Sequence, residues 1–162
     1  MRRATEADVA AIRAVLAITW RDTYGAFVPL EAIAKTTAAW HAPPVLAAEL
    51  ANPSTFTAVA EDASGVVGMV TAHDRTDAVE IARLYVLPGA QRRGIGGRLL
   101  AAALAEFPGR TRARLGVEKQ NPKGRAFYGK AGFMAVREQS VEAFGTTLQL
   151  IVMERVTDPA PS

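Results

Sequence analysis

The sequence predicts an α/β (α+β) fold: a single mixed, mostly antiparallel central sheet of about six to seven strands, with helices on both faces. Three observations support this class. The chain begins with an amphipathic helical pattern, continues with three short strand patterns separated by turns, and ends with a strand–loop–helix–strand unit, a helix and a hairpin. Its 162 residues suit one domain, which we place at residues 1–156, followed by a flexible tail at 157–162.

Helical patterns dominate the first third of the chain. Thr5 precedes an acidic first turn, and apolar residues then recur at helical spacing. This pattern predicts a first helix from about Glu6 to Ala17 or beyond. Prolines then separate two shorter helices, which we expect near 30–38 and 43–51.

Strand and turn patterns alternate in the next segment. Residues 55–60 predict a first strand, and the turn at 62–65 leads into a second strand at 66–73. Another turn leads into a third strand at 79–86. This order is typical of an antiparallel meander.

The second half of the chain alternates strands and helices. Pro88 and Gly89 end the third strand before a glycine-rich loop. The elements predicted after this loop are a helix at about 95–106, a strand at 112–117, a helix from Asn121 to near Gly132, and two closing strands at about 134–141 and 147–155.

The glycine-rich loop has the chemistry of an anion site. Gly94, Gly96 and Gly97 permit positive φ and allow a ligand to approach main-chain nitrogens closely. The first turn of a helix leaves N–H groups without intrahelical partners, and its dipole favours negative charge. Because Arg92 and Arg93 directly precede the glycines, the loop predicts a diphosphate-binding site.

The net charge of +3 conceals an uneven distribution. Residues 1–91 carry seven basic and ten acidic side chains, whereas residues 92–130 carry ten basic and two acidic ones. This local excess of positive charge indicates a polyanionic ligand. Nucleic acid is not expected, because the basic segment has few aromatic residues that could stack on bases and no groove-reading motif.

The composition argues against several other classes. The absence of cysteine excludes a disulfide framework, a thiolate zinc site and a cysteine nucleophile. With His41 and His73 as the only histidines, no metal site is expected. No apolar run approaches the ~20 residues that span a bilayer, and the N-terminus lacks the apolar segment of a signal peptide. We therefore expect a cytoplasmic protein without membrane contact.

Two motifs carry a family resemblance. The stretch from Leu84 to Pro88, followed by Gln91–Gly96, resembles motif A of the GCN5-related N-acetyltransferases (GNAT), whose pattern is Q/R-x-x-G-x-G/A. A second signature of that family is N-x-x-A-x-x-F-Y-x-x-x-G-F. The residues similar to it here are Asn121, Phe127, Tyr128, Gly132 and Phe133. The order of the elements also matches, so the resemblance extends over nearly the whole chain.

The resemblance implies acetyl-CoA as cosubstrate and no metal. In such enzymes the diphosphate binds the main-chain amides of the glycine loop, and the pantetheine arm pairs with the edge of the strand before it. The thioester carbonyl would accept a hydrogen bond from a main-chain N–H of that strand, which we assign to Val86. The implied cofactor-binding residues are Leu84, Tyr85, Val86, Gln91, Arg92, Arg93, Gly94, Ile95, Gly96, Gly97, Asn121 and Tyr128.

The same resemblance implies catalytic roles. Tyr128 matches the tyrosine that acts as general acid toward the leaving thiolate, and a phenol with an ordinary pKa near 10 is protonated at neutral pH. Asn121 matches the asparagine that hydrogen-bonds the pantetheine arm. Both residues have structural alternatives, since Tyr128 could pack its ring on the cofactor or the core and Asn121 could cap the following helix.

The general base is less narrowly defined by the sequence. Glu80 corresponds to a glutamate that deprotonates the amine through water in several family members. The alternative is that Glu80 is a solvated charge at the end of the strand or a partner for Arg83. His73 and Glu118, each at the end of a predicted strand, are further candidates. An amine that arrives neutral needs no base at all.

The acceptor site is expected between the first helix, the loop after it and the ends of the central strands. Trp20, Tyr24 and His73 are the candidate substrate-binding residues, because aromatic rings attract cations. Packing in the core is the alternative for the aromatic residues. No pattern distinguishes a small-molecule amine from a peptide amine.

We therefore predict an acetyl-CoA-dependent N-acetyltransferase that acts on a primary amine by direct attack in a ternary complex. The main alternative is a non-catalytic acyl-CoA-sensing module of the same fold. A dinucleotide-binding domain is disfavoured, since the third glycine of G-x-G-x-x-G would fall at Leu99. The terminal hairpin could present an edge to a second copy, so a homodimer is compatible with the sequence.

Overall fold

The structure, a computed structural model, describes residues 1–157. Within that range seven strands form one sheet in the order β1-β2-β3-β4-β5-β7-β6. The strands are β1 Arg2–Arg3, β2 Thr55–Asp62, β3 Gly65–Asp74, β4 Val79–Val86, β5 Arg112–Glu118, β6 Met134–Ala143 and β7 Thr146–Val156. The α-helices are α1 Val9–Tyr24, α2 Leu30–Trp40, α3 Pro43–Ala51, α4 Ile95–Ala105 and α5 Pro122–Lys130. The predicted α/β (α+β) class is confirmed.

The sheet opens between β4 and β5. All neighbouring strands are antiparallel except these two, which are parallel. Their ladder ends at the pair of Glu80 with Arg114. Nevertheless β4 continues along β3 to Val86, and β5 continues along β7 to Glu118. The two strands therefore separate after their first residues and leave a cleft in the middle of the sheet.

A β-bulge lies where the cleft begins. The β3–β4 register shifts between Thr71 and Ala72, which pair with Arg83 and Ile81, so Ala82 is an extra residue on β4. A bulge bends its strand and increases the local twist. This bend contributes to the separation of β4 from β5.

The two faces of the sheet carry separate hydrophobic cores. Successive side chains of a strand point to opposite faces, so Ala113, Leu115 and Val117 of β5 share one face. The buried residues that α4 adds to this face are Ile95, Leu99, Leu100 and Ala103. The opposite face is covered by α1, α2 and α3, whose core residues include Ile12, Val15, Leu16, Trp20, Ile33 and Leu46. The prediction of helices on both faces is confirmed.

A charged cluster attaches the start of α1 to the sheet. Arg2 of β1 donates two hydrogen bonds of 2.8 Å to the buried Asp8 and one of 2.8 Å to Glu61 of β2. The Thr5 main-chain N–H also donates to Asp8 at 2.8 Å. Because the Arg2 guanidinium stabilises the charged carboxylate, the pKa of Asp8 falls to about 2. The helix therefore starts at a defined position on the sheet.

The N-terminal boundaries differ from the predicted ones. Strand β1 was not predicted, because two residues are too few for a period-2 pattern, and it exists through its pairing with Ala58 and Val59 of β2. A single 3-10 turn occupies Glu6–Asp8, and α1 then runs from Val9 to Tyr24. By contrast, β4 has the predicted bounds.

Thr157 is the one residue of the C-terminal tail that the structure describes. Thr157 donates its main-chain N–H to the Thr111 carbonyl at 2.9 Å and its hydroxyl to the Arg110 carbonyl at 2.5 Å. The rest of the tail predicted to be flexible, 158–162, lies outside the described residues.

Among the helices of residues 1–157, none has the length and apolar character needed to cross a bilayer.

Strand β6 forms one edge of the sheet. Nearly all of its residues are exposed, including Met134 and Val136. The terminal hairpin thus presents an accessible edge, as the sequence indicated. The homodimer that such an edge could form stays a prediction.

Candidate active site

The cleft exposes main-chain groups of β4. The Leu87 N–H donates to the Val67 carbonyl of β3 at 2.8 Å. Because successive N–H groups of an extended strand point to opposite edges, the N–H and C=O groups of Val86 face the cleft, as does the N–H of Leu84. Gln91 Nε2 donates to the Val86 carbonyl at 3.0 Å, which agrees with this direction. A ligand in the cleft therefore meets a strand edge that has no neighbouring strand beyond Glu80.

The loop after β4 turns sharply into α4. Arg92 and Gly94 both have left-handed backbone conformations, with φ of 63° and 74°, which glycine adopts readily and arginine rarely. The Arg98 N–H donates to the Gly94 carbonyl at 3.1 Å and closes the first turn of the helix. The amides before Arg98, those of Ile95 to Gly97, have no partner within the helix. These amides lie at the corner for which the sequence predicts anion binding.

The glycines of this corner have different surroundings. A Cβ on Gly94 or Gly97 would meet no heavy atom of residues 1–157 within 4 Å. A Cβ on Gly96 would lie 3.3 Å from the ring of Phe127 and 3.9 Å from Val86 Cγ2. Glycine at position 96 therefore allows the start of α4 to lie close to α5, whereas a side chain at position 97 would enter open space. The contact with Phe127 joins distant segments, and no local pattern indicated it.

Free positive charge is concentrated near this corner. Of the ten basic residues at 92–130, those in ion pairs are Arg93, Arg110, Arg112, Arg114 and Lys119. Those without an ion pair in the described part of the chain are Arg92, Arg98, Lys123, Arg125 and Lys130. The unpaired cations lie on the loop, at the start of α4 and on α5, the two helices that meet at Gly96. Their field favours an anionic ligand at the corner.

Asn121 caps the helix that carries Tyr128. Its Oδ1 accepts a hydrogen bond from the Gly124 N–H at 2.9 Å, so the structural role weighed for this residue is confirmed. Gly124 stands at the alanine position of the second signature, and a Cβ there would lie 2.7 Å from Asn121 Nδ2. Within residues 1–157 the Nδ2 group donates no hydrogen bond. It is therefore available to a ligand.

Tyr128 is half-buried in an aromatic group on α5. Its ring packs edge-on against Phe127 and Phe133, with centroid distances of 5.0 Å and 5.8 Å. Burial raises the pKa of Tyr128, and the nearby Tyr85 adds to the rise. The phenol is consequently protonated throughout the neutral range, as a proton donor must be.

Tyr24 and Tyr85 both pack against the core under α1. Burial raises the pKa of Tyr24 above its ordinary range, and Tyr85, Glu118 and Tyr128 add to this rise. Burial likewise raises the pKa of Tyr85. The ends of α1 and β4 therefore lie on the same face of the sheet.

Trp20 packs beside Tyr24 in an aromatic cluster. It is 6% exposed, and it packs edge-on against Tyr24 and Phe144 at 5.5 Å and against His41 at 4.6 Å. Trp20 is thus a core residue that supports Tyr24. Phe144, in the turn between β6 and β7, was missed by sequence reasoning, because nothing local connects that turn to α1.

His73 belongs to a separate polar cluster on β3 and β4. Its Nε2 lies 3.4 Å from Glu49 Oε1, and its Nδ1 lies 3.0 Å from Thr55 Oγ1. Glu49 Oε2 also accepts a hydrogen bond from Arg83 at 2.6 Å. Burial lowers the pKa of His73, although the charge of Glu49 opposes this effect. Glu49, on α3, was not singled out from the sequence.

Glu80 lies at the closed end of the cleft. Arg75 Nε donates to Glu80 Oε2 at 2.5 Å. The pairing of Glu80 with Arg83 that the sequence left open is wrong, since Arg83 binds Glu49 instead. At ~3.3 Å per residue along a strand, Glu80 is on the order of 20 Å from Val86. The structure therefore brings Val86, the glycine loop and α5, which carries Tyr128, close to one another. It leaves Glu80 and His73 at the other end of β4.

Other surface features do not compete with the cleft. A groove of about 680 Å³ lies between α1 and α2 and is lined mainly by alanines together with Arg13 and Arg21. It carries neither the unpaired amides nor the tyrosines. Residues 1–157 contain no group of three or more His, Asp or Glu side chains placed to hold a metal ion.

The sheet is mixed and splits between its two parallel strands, and the glycine-rich start of α4 follows the strand at the split. The family model described as acetyltransferase (GNAT) family matches residues 12–133, which is more than half of the chain. The chain belongs to this family. The resemblance noted from the two motifs is confirmed.

Solved structures of this fold cover almost the whole chain. PaiA N-acetyltransferase from Thermoplasma acidophilum, in complex with coenzyme A, is 24% identical with a TM-score of 0.82 and covers 96% of this chain and 97% of that one. YncA from Salmonella typhimurium, with its cofactor acetyl-CoA, is 23% identical with a TM-score of 0.66, and the match covers 99% of this chain and 95% of that one. Ribosomal-protein-alanine N-acetyltransferase from Brucella melitensis is 24% identical with a TM-score of 0.67, and the match covers 96% of this chain and 98% of that one. These identities show a shared fold. No protein of curated function matches the sequence.

Substitutions at Asn121 test whether its side-chain oxygen caps α5. We expect Asn121→Ala to lower the free energy of unfolding by about 1 kcal/mol, because the cap of α5 is lost. Asn121→Asp keeps an oxygen for the Gly124 N–H and adds a charge that the helix start favours, so its stability stays near that of the wild type. Urea unfolding followed by circular dichroism measures both. Equal losses for the two variants would contradict the capping role.

Proposed function

We propose that this protein is an acetyl-CoA-dependent N-acetyltransferase that modifies a primary amine of a small molecule or of a peptide. The observation that carries the proposal is that the β4 edge without a neighbouring strand lies next to the free amides at the start of α4, close to α5, which carries Tyr128. Membership of the GNAT family supports it, as do the coenzyme A and acetyl-CoA bound by the structural relatives.

The cofactor would bind along the cleft as an additional strand. The amide groups of pantetheine can pair with the cleft-facing groups of Leu84 and Val86, and its diphosphate can accept hydrogen bonds from the free amides of Ile95 to Gly97. Arg92 and Arg98, without ion pairs among residues 1–157, add attraction for the phosphates. This arrangement directs the thioester toward Tyr128.

The chemistry then follows from the groups around the thioester. A cleft-facing N–H, which we assign to Val86, polarises the thioester carbonyl and stabilises the oxyanion, a contribution of ~3 kcal/mol for one well-placed donor. The amine nitrogen forms the new C–N bond, and the C–S bond breaks as the tetrahedral intermediate collapses. Tyr128 donates its proton to the departing thiolate. No cysteine is present to form an acetyl-enzyme, so the amine attacks directly in a ternary complex.

The amine loses a proton before or during attack, and we propose Glu80 as the acceptor of that proton. Its place at the closed end of β4 requires a chain of water molecules along the cleft. The carboxylate pairs with Arg75, which lies in the turn between β3 and β4. His73 is held by Glu49 and Thr55, so it is less suited to move a proton.

Cofactor binding can be tested at Gly97. Gly97→Glu places a carboxylate in front of the free amides, where the diphosphate would bind, and we expect it to weaken acetyl-CoA binding by about tenfold or more. Acidic residues stabilise a helix start, so the variant should fold at least as well as the wild type. Gly97→Ala, whose Cβ enters open space, is the matched control and should bind normally. Isothermal titration calorimetry provides the affinities, and unaltered binding by Gly97→Glu would contradict the assignment.

The acid role of Tyr128 distinguishes an enzyme from an acyl-CoA sensor. We expect Tyr128→Phe to lower kcat by roughly 100-fold while acetyl-CoA affinity changes little, because the hydroxyl is lost and the ring is kept. Turnover is measured as thiol release over a panel of amines at saturating acetyl-CoA. Tight cofactor binding by the wild type without amine-dependent thiol release would support the sensor instead.

The role of Glu80 predicts a change in the pH–rate profile. Glu80→Gln should reduce turnover most strongly at low pH, and the deficit should shrink as pH rises, because a larger share of the acceptor is then already neutral. The profile of kcat between pH 6 and pH 10 measures this, since cofactor binding is not expected to depend on Glu80. A profile parallel to that of the wild type would remove Glu80 as the base.

A further inference from the structure

Glu118 is a buried carboxylate without a cation. It is 4% exposed and accepts a hydrogen bond from the Gln120 N–H. Within residues 1–157 no Lys, Arg or His nitrogen lies within 4.0 Å of it, and residues 158–162 contain no basic side chain. The adjacent Lys119 is bound to Glu138 at 2.8 Å.

Other carboxylates in protected positions are paired. Asp8, which is 6% exposed, accepts two hydrogen bonds from Arg2. Glu49 pairs with Arg83 and contacts His73. A charged group removed from water without a partner destabilises a protein. Glu118 differs from these carboxylates, because no cation of residues 1–157 pairs with it.

The position of Glu118 on β5 places it at the cleft. The alternate residues Ala113, Leu115 and Val117 face the core under α4, so Glu118 points to the face covered by α1. This is the face that carries Tyr24 and Tyr85, and Glu118 lies at the end of β5, beyond the last β4–β5 residue pair. The carboxylate thus lies at the cleft, on the same face of the sheet as Tyr24 and Tyr85.

The face of the sheet that Glu118 shares with Tyr24 and Tyr85 suits an organic cation. Tyr24 packs against Phe144 at 5.3 Å and against Trp20 at 5.5 Å, which makes one side aromatic. Aromatic faces and carboxylates together bind ammonium groups. Arg83, which lies on the same face of β4, is already bound to Glu49 and offers no free charge for an acidic group of the acceptor.

We propose that Glu118 binds the protonated amino group of the acceptor and that the acceptor class is a primary ammonium compound without a carboxylate on the carbon that bears nitrogen. This inference rests on the proposed function, and it concerns recognition rather than proton transfer. The ammonium ion binds beside Glu118, loses its proton through the water-filled cleft, and then attacks as the neutral amine. A carboxylate next to that nitrogen would be repelled by Glu118.

The test uses Glu118→Gln, which keeps the shape of the side chain and removes its charge. The three acceptors are an n-alkylamine, the α-amino acid with the same side chain, and an acyl hydrazide that is uncharged at pH 7.5. We expect Glu118→Gln to raise KM for the alkylamine by about tenfold or more, with kcat and the acetyl-CoA affinity little changed. The hydrazide should show no such rise, and the preference for the alkylamine over the amino acid should shrink.

Two further variants control for structural effects. Glu118→Asp keeps the charge and should retain most of the preference for the alkylamine. Glu138→Gln alters an exposed glutamate of the neighbouring ion pair and should leave all three KM values unchanged. Because an uncompensated buried charge is removed, unliganded Glu118→Gln should unfold at the same temperature as the wild type or a higher one. A strongly lowered unfolding temperature would assign Glu118 a structural role and overturn the proposal.

The remaining outcomes separate this inference from the proposed function. Equal KM changes for the alkylamine and the hydrazide, or no change for either, would overturn the role of Glu118 while acetyl transfer stands. If the wild type transfers no acetyl group, calorimetric titration of the alkylamine into the coenzyme A-loaded protein decides the matter. Binding that Glu118→Gln weakens would support the site although the enzyme proposal fails, and an absence of binding would overturn both.

Discussion

The interruption of one hydrogen-bond ladder determines the rest of this structure. Strands β4 and β5 begin as parallel partners and separate after Glu80, while each stays bound to its other neighbour. The main-chain groups of Val86 therefore face a cleft in the middle of the sheet. Backbone polar groups in such a position need partners. A ligand that carries amide groups of its own can supply them, so the break in the ladder creates a binding site without dedicated side chains.

The cleft also joins the two layers of helices. Tyr128 approaches it from the face covered by α4 and α5, whereas Tyr24 and Tyr85 belong to the core under α1. A continuous sheet would keep these groups on opposite sides. A Cβ on Gly96 would lie 3.3 Å from the ring of Phe127, so the free amides at the start of α4 lie close to the helix that carries Tyr128. One site is thus assembled from both layers.

The distribution of charge follows function more closely than stability. Asp8 and Glu49 are shielded from solvent and paired with arginines, and they attach α1 and α3 to the sheet. Glu118 is more buried than either and has no such partner among residues 1–157. Stability alone would favour a neutral residue at that position. A binding site for a cation accounts for the charge, because sites of this kind keep groups that the folded protein does not need.

The sequence by itself determined the features that depend on neighbours a few residues away. These include the bounds of β4, the glycine-rich start of α4 and the cap formed by Asn121, because strand alternation, backbone freedom and capping are local properties. The pairing of β1 with β2, the choice of Glu49 rather than Glu80 as the partner of Arg83, and the burial of Glu118 were decided by the tertiary structure alone. Each of these depends on segments far apart in the chain, whose meeting is set by how helices pack on a twisted sheet rather than by any pattern within one segment.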